Sequence, residues 1–100
     1  MMYKRVSVSQ AKEILDKDIN AVLVDIRDYV SYGQSHEPKS IHLNENVLSE
    51  FINNTPKDVS LLVMCYHGNS SQVAAEFLCG YGFLNVYSID GGYEAWIASE

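Results

Sequence analysis

The sequence has little positive charge and little cysteine, and each shortage excludes a class of protein. Seven lysine and arginine residues stand against thirteen aspartate and glutamate residues, which gives a formal net charge of −6. Such an acidic balance argues against nucleic acid or an anionic membrane surface as a partner. The two cysteines do not form a Cys-x-x-Cys pair and the three histidines lack ligand spacing. We therefore predict no metal site and no cofactor.

Long hydrophobic runs are also missing. No apolar run approaches the length of about 20 residues that a membrane-spanning helix needs, and residues 1–6 lack the apolar core of a signal peptide. These absences predict a cytoplasmic protein in which both cysteines are reduced. A chain of 100 residues, 47% of them hydrophobic, predicts a single domain over 1–100 whose core needs no disulfide or metal.

Short apolar segments of two periodicities alternate along the chain. The unbroken apolar run at 61–64 and the mostly apolar segment 21–26, which contains Asp25, are typical of buried strands. Further short strands are predicted around Val6 and at 41–43 and 85–89. Helical spacing predicts helices at about 7–16, 29–35, 46–53, in the segment that contains 73–78, and from 93 onward. This alternation predicts an α/β fold with a parallel sheet that is covered by helices on both faces.

The stretch 61–78 runs from a buried strand into a helix through a short polar loop that Cys65 opens. A cysteine at the carboxyl end of a strand, facing a helix N-terminus, lies where backbone N–H groups converge and the helix dipole is positive. That environment lowers the pKa of a thiol and favours the thiolate. The pattern indicates a nucleophile in an anion-binding loop. A small buried hydrophobe at a strand end is an equal alternative on chemistry alone.

The composition of the loop favours the first interpretation. Gly68 permits a positive φ and a close backbone approach, and no proline removes an amide donor. The next residues, Asn69, Ser70 and Ser71, are of the types that cap helices and form turns. The helix itself is predicted from four apolar residues at helical spacing, Val73, Ala74, Phe77 and Leu78.

Charged side chains follow the earlier strand as well. Asp25 and Arg27 come at the end of the run 21–26, at the sheet edge where sites form in open α/β sheets. We expect them to form a structural ion pair that ties loops together, and a direct role toward substrate is the alternative. His36 and His42 could act as general bases, but hydrogen-bonding support of the loops is the more ordinary role.

The chain resembles the rhodanese domain family, and within it the single-domain thiosulfate sulfurtransferases of bacteria, the GlpE type. The resemblance spans nearly the whole chain in the right order. The segments that carry it are 24–27 (Val-Asp-Ile-Arg), 41–43 (Ile-His-Leu), 64–71 (Met-Cys-Tyr-His-Gly-Asn-Ser-Ser), 87–92 (Tyr-Ser-Ile-Asp-Gly-Gly) and 94–96 (Glu-Ala-Trp). Two features depart from the family pattern. Lys39 and Ser40 stand where members often have Gly-Ala, and the loop from Cys65 to Ser71 has no arginine or lysine.

The resemblance implies a rhodanese-like fold with about five short strands and a two-step sulfur transfer. The thiolate of Cys65 would take the outer sulfur of thiosulfate, release sulfite and become a persulfide. Cyanide or a cellular thiol, with thioredoxin as one candidate, would then accept the sulfur. The residues implied in substrate binding are Tyr66, His67, Gly68, Asn69, Ser70 and Ser71, and those implied in supporting the site are Asp25 and Arg27.

Three other functions remain open on the sequence. A cysteine-dependent phosphatase is disfavoured, since it needs a bidentate guanidinium, normally six positions after the nucleophile, where this chain has Ser71. A persulfide carrier that is loaded by another protein and a non-catalytic rhodanese-like binding module are the alternatives to an enzyme. Retention of Cys65 argues against the binding module.

Overall fold

A computed structural model describes residues 2–100 and contains one five-stranded parallel sheet. The strands lie at Lys4–Val6 (β1), Val22–Asp25 (β2), Ser40–His42 (β3), Ser60–Met64 (β4) and Asn85–Ile89 (β5). Their order in the sheet is β1-β5-β4-β2-β3, and all four neighbouring pairs are parallel. The predicted parallel α/β sheet of about five short strands is confirmed.

Helices cover both faces of this sheet, as predicted. They lie at Val8–Lys17 (α1), Tyr29–Gln34 (α2), Leu48–Asn54 (α3), Ser70–Gly80 (α4) and Gly92–Ala98 (α5). Alternate side chains of β4 divide the core into two parts. Leu61 and Val63 belong to the cluster that contains residues of α3 and α4, and Leu62 and Met64 to the cluster that contains residues of α1 and α5. The central strand is therefore buried on both faces, which explains its unbroken apolar run.

Local signals set the ends of several elements. The predicted capping box is present at the start of α1, where the N–H of Gln10 donates to Ser7 Oγ and the N–H of Ser7 donates to Gln10 Oε1. At the C-terminal end of α4, Gly82 follows the C-cap residue Tyr81 and has φ +99°. A glycine adopts this left-handed conformation without the strain that other residues incur.

Two expectations about helices need correction. The apolar spacing located α4 but only part of its buried face: Leu78 is 1% exposed, whereas Val73 is 73% exposed and Phe77 is 47% exposed. Ser71, Ala75 and Cys79 complete the buried face, because small side chains let α4 approach the sheet closely. The third helix begins at Leu48, not at residue 46, since residues 44–47 form a turn with a hydrogen bond from the N–H of Val47 to the carbonyl of Asn44.

The carboxyl ends of all five strands lie at one edge of the sheet, because the strands are parallel. At this edge β4 leads into Cys65, β2 leads into Arg27 and β5 leads into the turn at 90–91. Among residues 2–100, no helix is long and apolar enough to cross a membrane.

Candidate active site

Cys65 is the first residue after β4, and its side chain is held inside the loop that leads to α4. The residue is 4% exposed. The N–H of Gly68 donates a hydrogen bond of 3.0 Å to Cys65 Sγ. This contact requires the chain to turn back at once after the strand, and Gly68 makes the turn with φ +94°.

Hydrogen-bond donors around Sγ favour its thiolate form. Burial raises the pKa of the Cys65 thiol, but donation from the Ser71 hydroxyl and from the N–H groups of Ser71, Gly68 and His67 outweighs it, and the net pKa lies below that of an ordinary cysteine. For comparison, burial raises the pKa of the other free thiol, Cys79. The loop therefore distinguishes a reactive cysteine from one that only packs in the core.

Ser71 is the best-fixed donor of this set. It is fully buried in the first turn of α4, and its Oγ lies 2.7 Å from Ser88 Oγ on β5. Ser88 is also fully buried, so the two hydroxyls hold each other in place beside Sγ. The sequence analysis did not identify Ser88, although a serine in an otherwise buried strand was a usable signal.

The start of α5 holds the loop from the other side. The N–H of Tyr93 donates to the carbonyl of Cys65 at 2.8 Å, and the N–H of Glu94 donates to the carbonyl of Tyr66 at 3.2 Å. This contact is so close that a Cβ on Gly92 would lie 2.4 Å from the carbonyl oxygen of Cys65. The loop conformation therefore depends on α5 as well as on its own residues.

Asp25 and Arg27 form a buried ion pair beside the site. The Arg27 side chain is 4% exposed and that of Asp25 is fully buried, with Arg27 Nη2 2.8 Å from Asp25 Oδ2. Arg27 Nη2 also donates to the carbonyl of Ser35 at 2.7 Å, and its guanidinium lies 3.7 Å from the ring centroid of Tyr93. The pair thereby connects the end of β2 with α2 and α5.

The two histidines that precede β4 make hydrogen bonds to the backbone. His42 Nε2 donates to the carbonyl of Arg27 at 2.7 Å, and His36 Nδ1 donates to the carbonyl of Tyr32 at 2.8 Å. Both imidazoles stack on the Tyr32 ring, whose centroid lies 3.9 Å from that of His36 and 4.2 Å from that of His42. These contacts are of the supporting kind that we expected. Lys39 and Ser40, which differ from the Gly-Ala of many family members, lie in a turn in the same region. In this turn Ser40 Oγ donates to the carbonyl of Glu37 at 2.7 Å.

A pocket of about 310 Å³ opens next to the cysteine loop. Residues of α2 and α5 line it together with Tyr66 of the loop, and the lining includes Arg27, Tyr93 and Glu94. Tyr66 is about half exposed. The pocket offers space for a small molecule beside the residue that follows the cysteine.

The structure divides the predicted loop residues into two groups. Ser71, Gly68 and His67 bring donors to Cys65 Sγ. Tyr66, Asn69 and Ser70 have exposed side chains, and Asn69 occupies the N-cap position of α4 without a side-chain capping bond. Tyr93 and Glu94, which sequence reasoning did not select, contact the loop only through the tertiary fold, so no local pattern pointed to them.

Comparison with known proteins agrees with this geometry. The model of the rhodanese-like domain family matches residues 7–99. The chain belongs to the rhodanese-like domain family. Its curated relatives include the thiosulfate sulfurtransferase GlpE of Ectopseudomonas mendocina, which is 48% identical over 97 residues that cover 97% of this chain and 87% of that protein. The protein of the same name from Pseudomonas savastanoi is 45% identical over 97 residues, covering 97% of this chain and 90% of that protein.

Solved structures support the same rhodanese-like fold. A rhodanese-like domain protein from Staphylococcus aureus superposes with a TM-score of 0.80, covering 93% of this chain and 90% of that one at 20% identity. In this rhodanese-like domain, Ser71 stands where a cysteine-dependent phosphatase would need arginine. Its buried hydroxyl bonds to Ser88 and supplies no bidentate guanidinium for a phosphoryl group.

Proposed function

We propose that this chain is a thiosulfate sulfurtransferase that transfers sulfane sulfur through a persulfide on Cys65. The observation that carries the proposal is the buried Cys65 Sγ with the Gly68 N–H 3.0 Å away, in a loop whose donors lower the pKa of that thiol. The relatives that are named thiosulfate sulfurtransferase, and that this chain matches over most of their length, support the choice of donor.

The first step is attack by the Cys65 thiolate on the outer sulfur of thiosulfate. An S–S bond forms between Sγ and that sulfur, the S–S bond of thiosulfate breaks, and sulfite leaves with the electron pair. The product is a persulfide anion on Cys65. The Gly68 N–H, which lies 3.0 Å from Sγ, stabilises the attacking thiolate before this step, and the persulfide then carries its negative charge on the outer sulfur.

The second step returns the enzyme to its first state. A nucleophilic acceptor attacks the outer persulfide sulfur, takes it up, and leaves the Cys65 thiolate. Cyanide would give thiocyanate, and a thiolate, with thioredoxin as one candidate, would give a persulfide of the acceptor. The scheme is ping-pong, because the first product leaves before the second substrate reacts.

Other residues have supporting roles in this proposal. Ser71, Gly68 and His67 stabilise the sulfur anion, while Tyr66, Asn69 and Ser70 contact the donor from the exposed side of the loop. Asp25 and Arg27 hold the loop's surroundings in place through their buried ion pair. The chain acts as a single domain over 1–100 in the cytoplasm, where thiol acceptors are reduced.

Mass spectrometry of the intact protein tests the proposal. Incubation with thiosulfate should add one sulfur atom to the wild type, and subsequent cyanide should remove it and release thiocyanate. Cys65→Ser should gain no sulfur, whereas Cys79→Ser should react as the wild type does. If thiosulfate leaves the mass unchanged while a sulfurated donor protein adds the atom, the chain is a persulfide carrier. If neither source adds sulfur, it is a binding module.

A further inference from the structure

We propose that an exposed pair of side chains, His67 and Glu94, sets the preference of the site among sulfur donors according to their charge, and we call it the charge-selecting pair. The proposal rests on the function proposed above and concerns the mouth of the same loop. The carboxylate of Glu94 opposes anionic donors unless protonated His67 neutralises it, which makes the affinity for anionic donors depend on pH.

The two side chains face each other at the exposed surface of the loop. His67 Nδ1 lies 3.3 Å from Glu94 Oε2, and the side chains are 60% and 68% exposed. The ring of Tyr66, which lines the pocket, lies 4.7 Å from the imidazole of His67. A donor that approaches the loop from the pocket side therefore passes close to this pair.

The fold fixes the position of Glu94 relative to the loop. Glu94 lies in the first turn of α5, and its own N–H donates to the carbonyl of Tyr66, the residue before His67. The N–H of Tyr93, which donates to the carbonyl of Cys65 at 2.8 Å, also ties α5 to the loop. The backbone contact thus brings the carboxylate beside the one loop residue that can pair with it.

The other charged groups near the mouth are already paired. Arg27 is neutralised by Asp25, and Asp90, in the turn before α5, pairs with Arg5 at 2.8 Å. Between Cys65 and Ser71, the sequence has no arginine, lysine or second histidine. Besides the phenols of Tyr66 and Tyr93, the ionisable side chains here are therefore the Cys65 thiol and the charge-selecting pair.

The sign of the pH effect follows from these charges. When His67 is protonated, it neutralises Glu94 and can present Nε2–H to an anion. When His67 loses its proton as the pH rises, the charge of Glu94 is no longer opposed and repels the donor. The concentration of thiosulfate that half-saturates the loop should therefore increase with pH, while the maximal rate of persulfide formation does not share this change.

Single-turnover persulfide formation, followed by mass spectrometry between about pH 5.5 and 8, where imidazoles titrate, tests the charge-selecting pair. Glu94→Gln should lower the half-saturating thiosulfate concentration by about twofold to fivefold, the range expected for an exposed charge pair. Its maximal rate should stay unchanged. His67→Gln should raise that concentration and flatten its dependence on pH. Glu50→Gln is the matched control, since Glu50 is exposed on α3, across the sheet from α5.

Donor charge distinguishes an electrostatic role from a structural one. A thiosulfonate monoanion carries half the charge of thiosulfate, so the change caused by Glu94→Gln should be about the square root of the change for the dianion. Equal changes for both donors, or a change in maximal rate alone, would overturn the proposal. If the wild type forms no persulfide, the proposed function fails by itself. Alkylation of Cys65 then tests the charge-selecting pair. Glu94→Gln should raise the rate with anionic iodoacetate relative to the rate with neutral iodoacetamide. If the ratio of these two rates is that of the wild type, the proposal about the pair is overturned.

Discussion

At the scale of the residue, reactivity depends on how firmly the donors around one sulfur atom are held. Ser71 combines two contacts that a surface serine lacks, because it donates toward Cys65 Sγ and lies 2.7 Å from the buried Ser88 hydroxyl. Removal of its hydroxyl by Ser71→Ala should raise the pKa of Cys65, since the thiolate loses its strongest donor. The alkylation rate against pH should shift to higher pH, and kcat/KM for thiosulfate at neutral pH should fall about tenfold.

Ser70→Ala is the control for this effect. Ser70 precedes Ser71 on the same turn, but its side chain is exposed, so the titration of Cys65 should stay that of the wild type. If the alkylation profile of Ser71→Ala is the same as that of the wild type, the backbone amides alone set the pKa of the Cys65 thiol. Urea unfolding of both variants should accompany the kinetics, because Ser71→Ala also leaves Ser88 without its partner.

Sequence reasoning was strongest for residues whose role is encoded locally. The loop from Cys65 to Ser71 follows its strand directly, so the order of residue types carried the information. Ser88 contacts the Ser71 hydroxyl and Glu94 contacts the loop, from β5 and α5, which are distant in sequence. Their serine and glutamate side chains have no special pattern, and only the fold shows what they contact.

At the scale of the element, α5 acts as the support of the reactive loop. The N–H groups of its second and third residues donate to the carbonyls of Cys65 and Tyr66, and Gly92, at φ +57°, lets it come close enough to do so. Gly92→Ala would place a Cβ 2.4 Å from a backbone oxygen, so α5 must move. We expect a loss of about 1–3 kcal/mol in the free energy of unfolding.

The same substitution should also slow the alkylation of Cys65 at neutral pH, because the loop loses the contacts that hold its donors in place. Gly80→Ala is the matched control, since nothing lies within 4 Å of a Cβ there and Gly80 is in α4. It should raise the free energy of unfolding by about 0.5–1 kcal/mol. A destabilised Gly92→Ala protein with wild-type alkylation would contradict the supporting role of α5.

At the scale of the whole molecule, periodicity predicted the type and order of the elements better than it predicted their faces. Strands β4 and β5 were located within one residue because both are short apolar runs between polar turns. Of the apolar residues predicted on α4, Leu78 is buried but Val73 and Phe77 are exposed, since apolar residues occur on two sides of this helix and only packing against the sheet decides between them. Strand order, β1-β5-β4-β2-β3, likewise follows from contacts that no single segment encodes.

The net charge of −6 is a property of the whole chain, and it opposes the binding of a dianion. Local N–H groups attract the donor only at short range, whereas the overall field acts at a distance and is screened by salt. We therefore expect kcat/KM for persulfide formation from thiosulfate to rise by about twofold to threefold between about 10 mM and 150 mM sodium chloride, as the Debye length falls from about 30 Å to about 8 Å.

Alkylation of Cys65 with neutral iodoacetamide provides the control for this salt effect. Its rate depends on the thiolate but not on attraction or repulsion of the reagent, so it corrects for any change in Cys65 ionisation with salt. Anionic iodoacetate should follow thiosulfate, with a weaker dependence because it carries one charge. A kcat/KM that falls with salt would mean that local positive potential at the loop, and not the charge of the whole molecule, governs the approach of the donor.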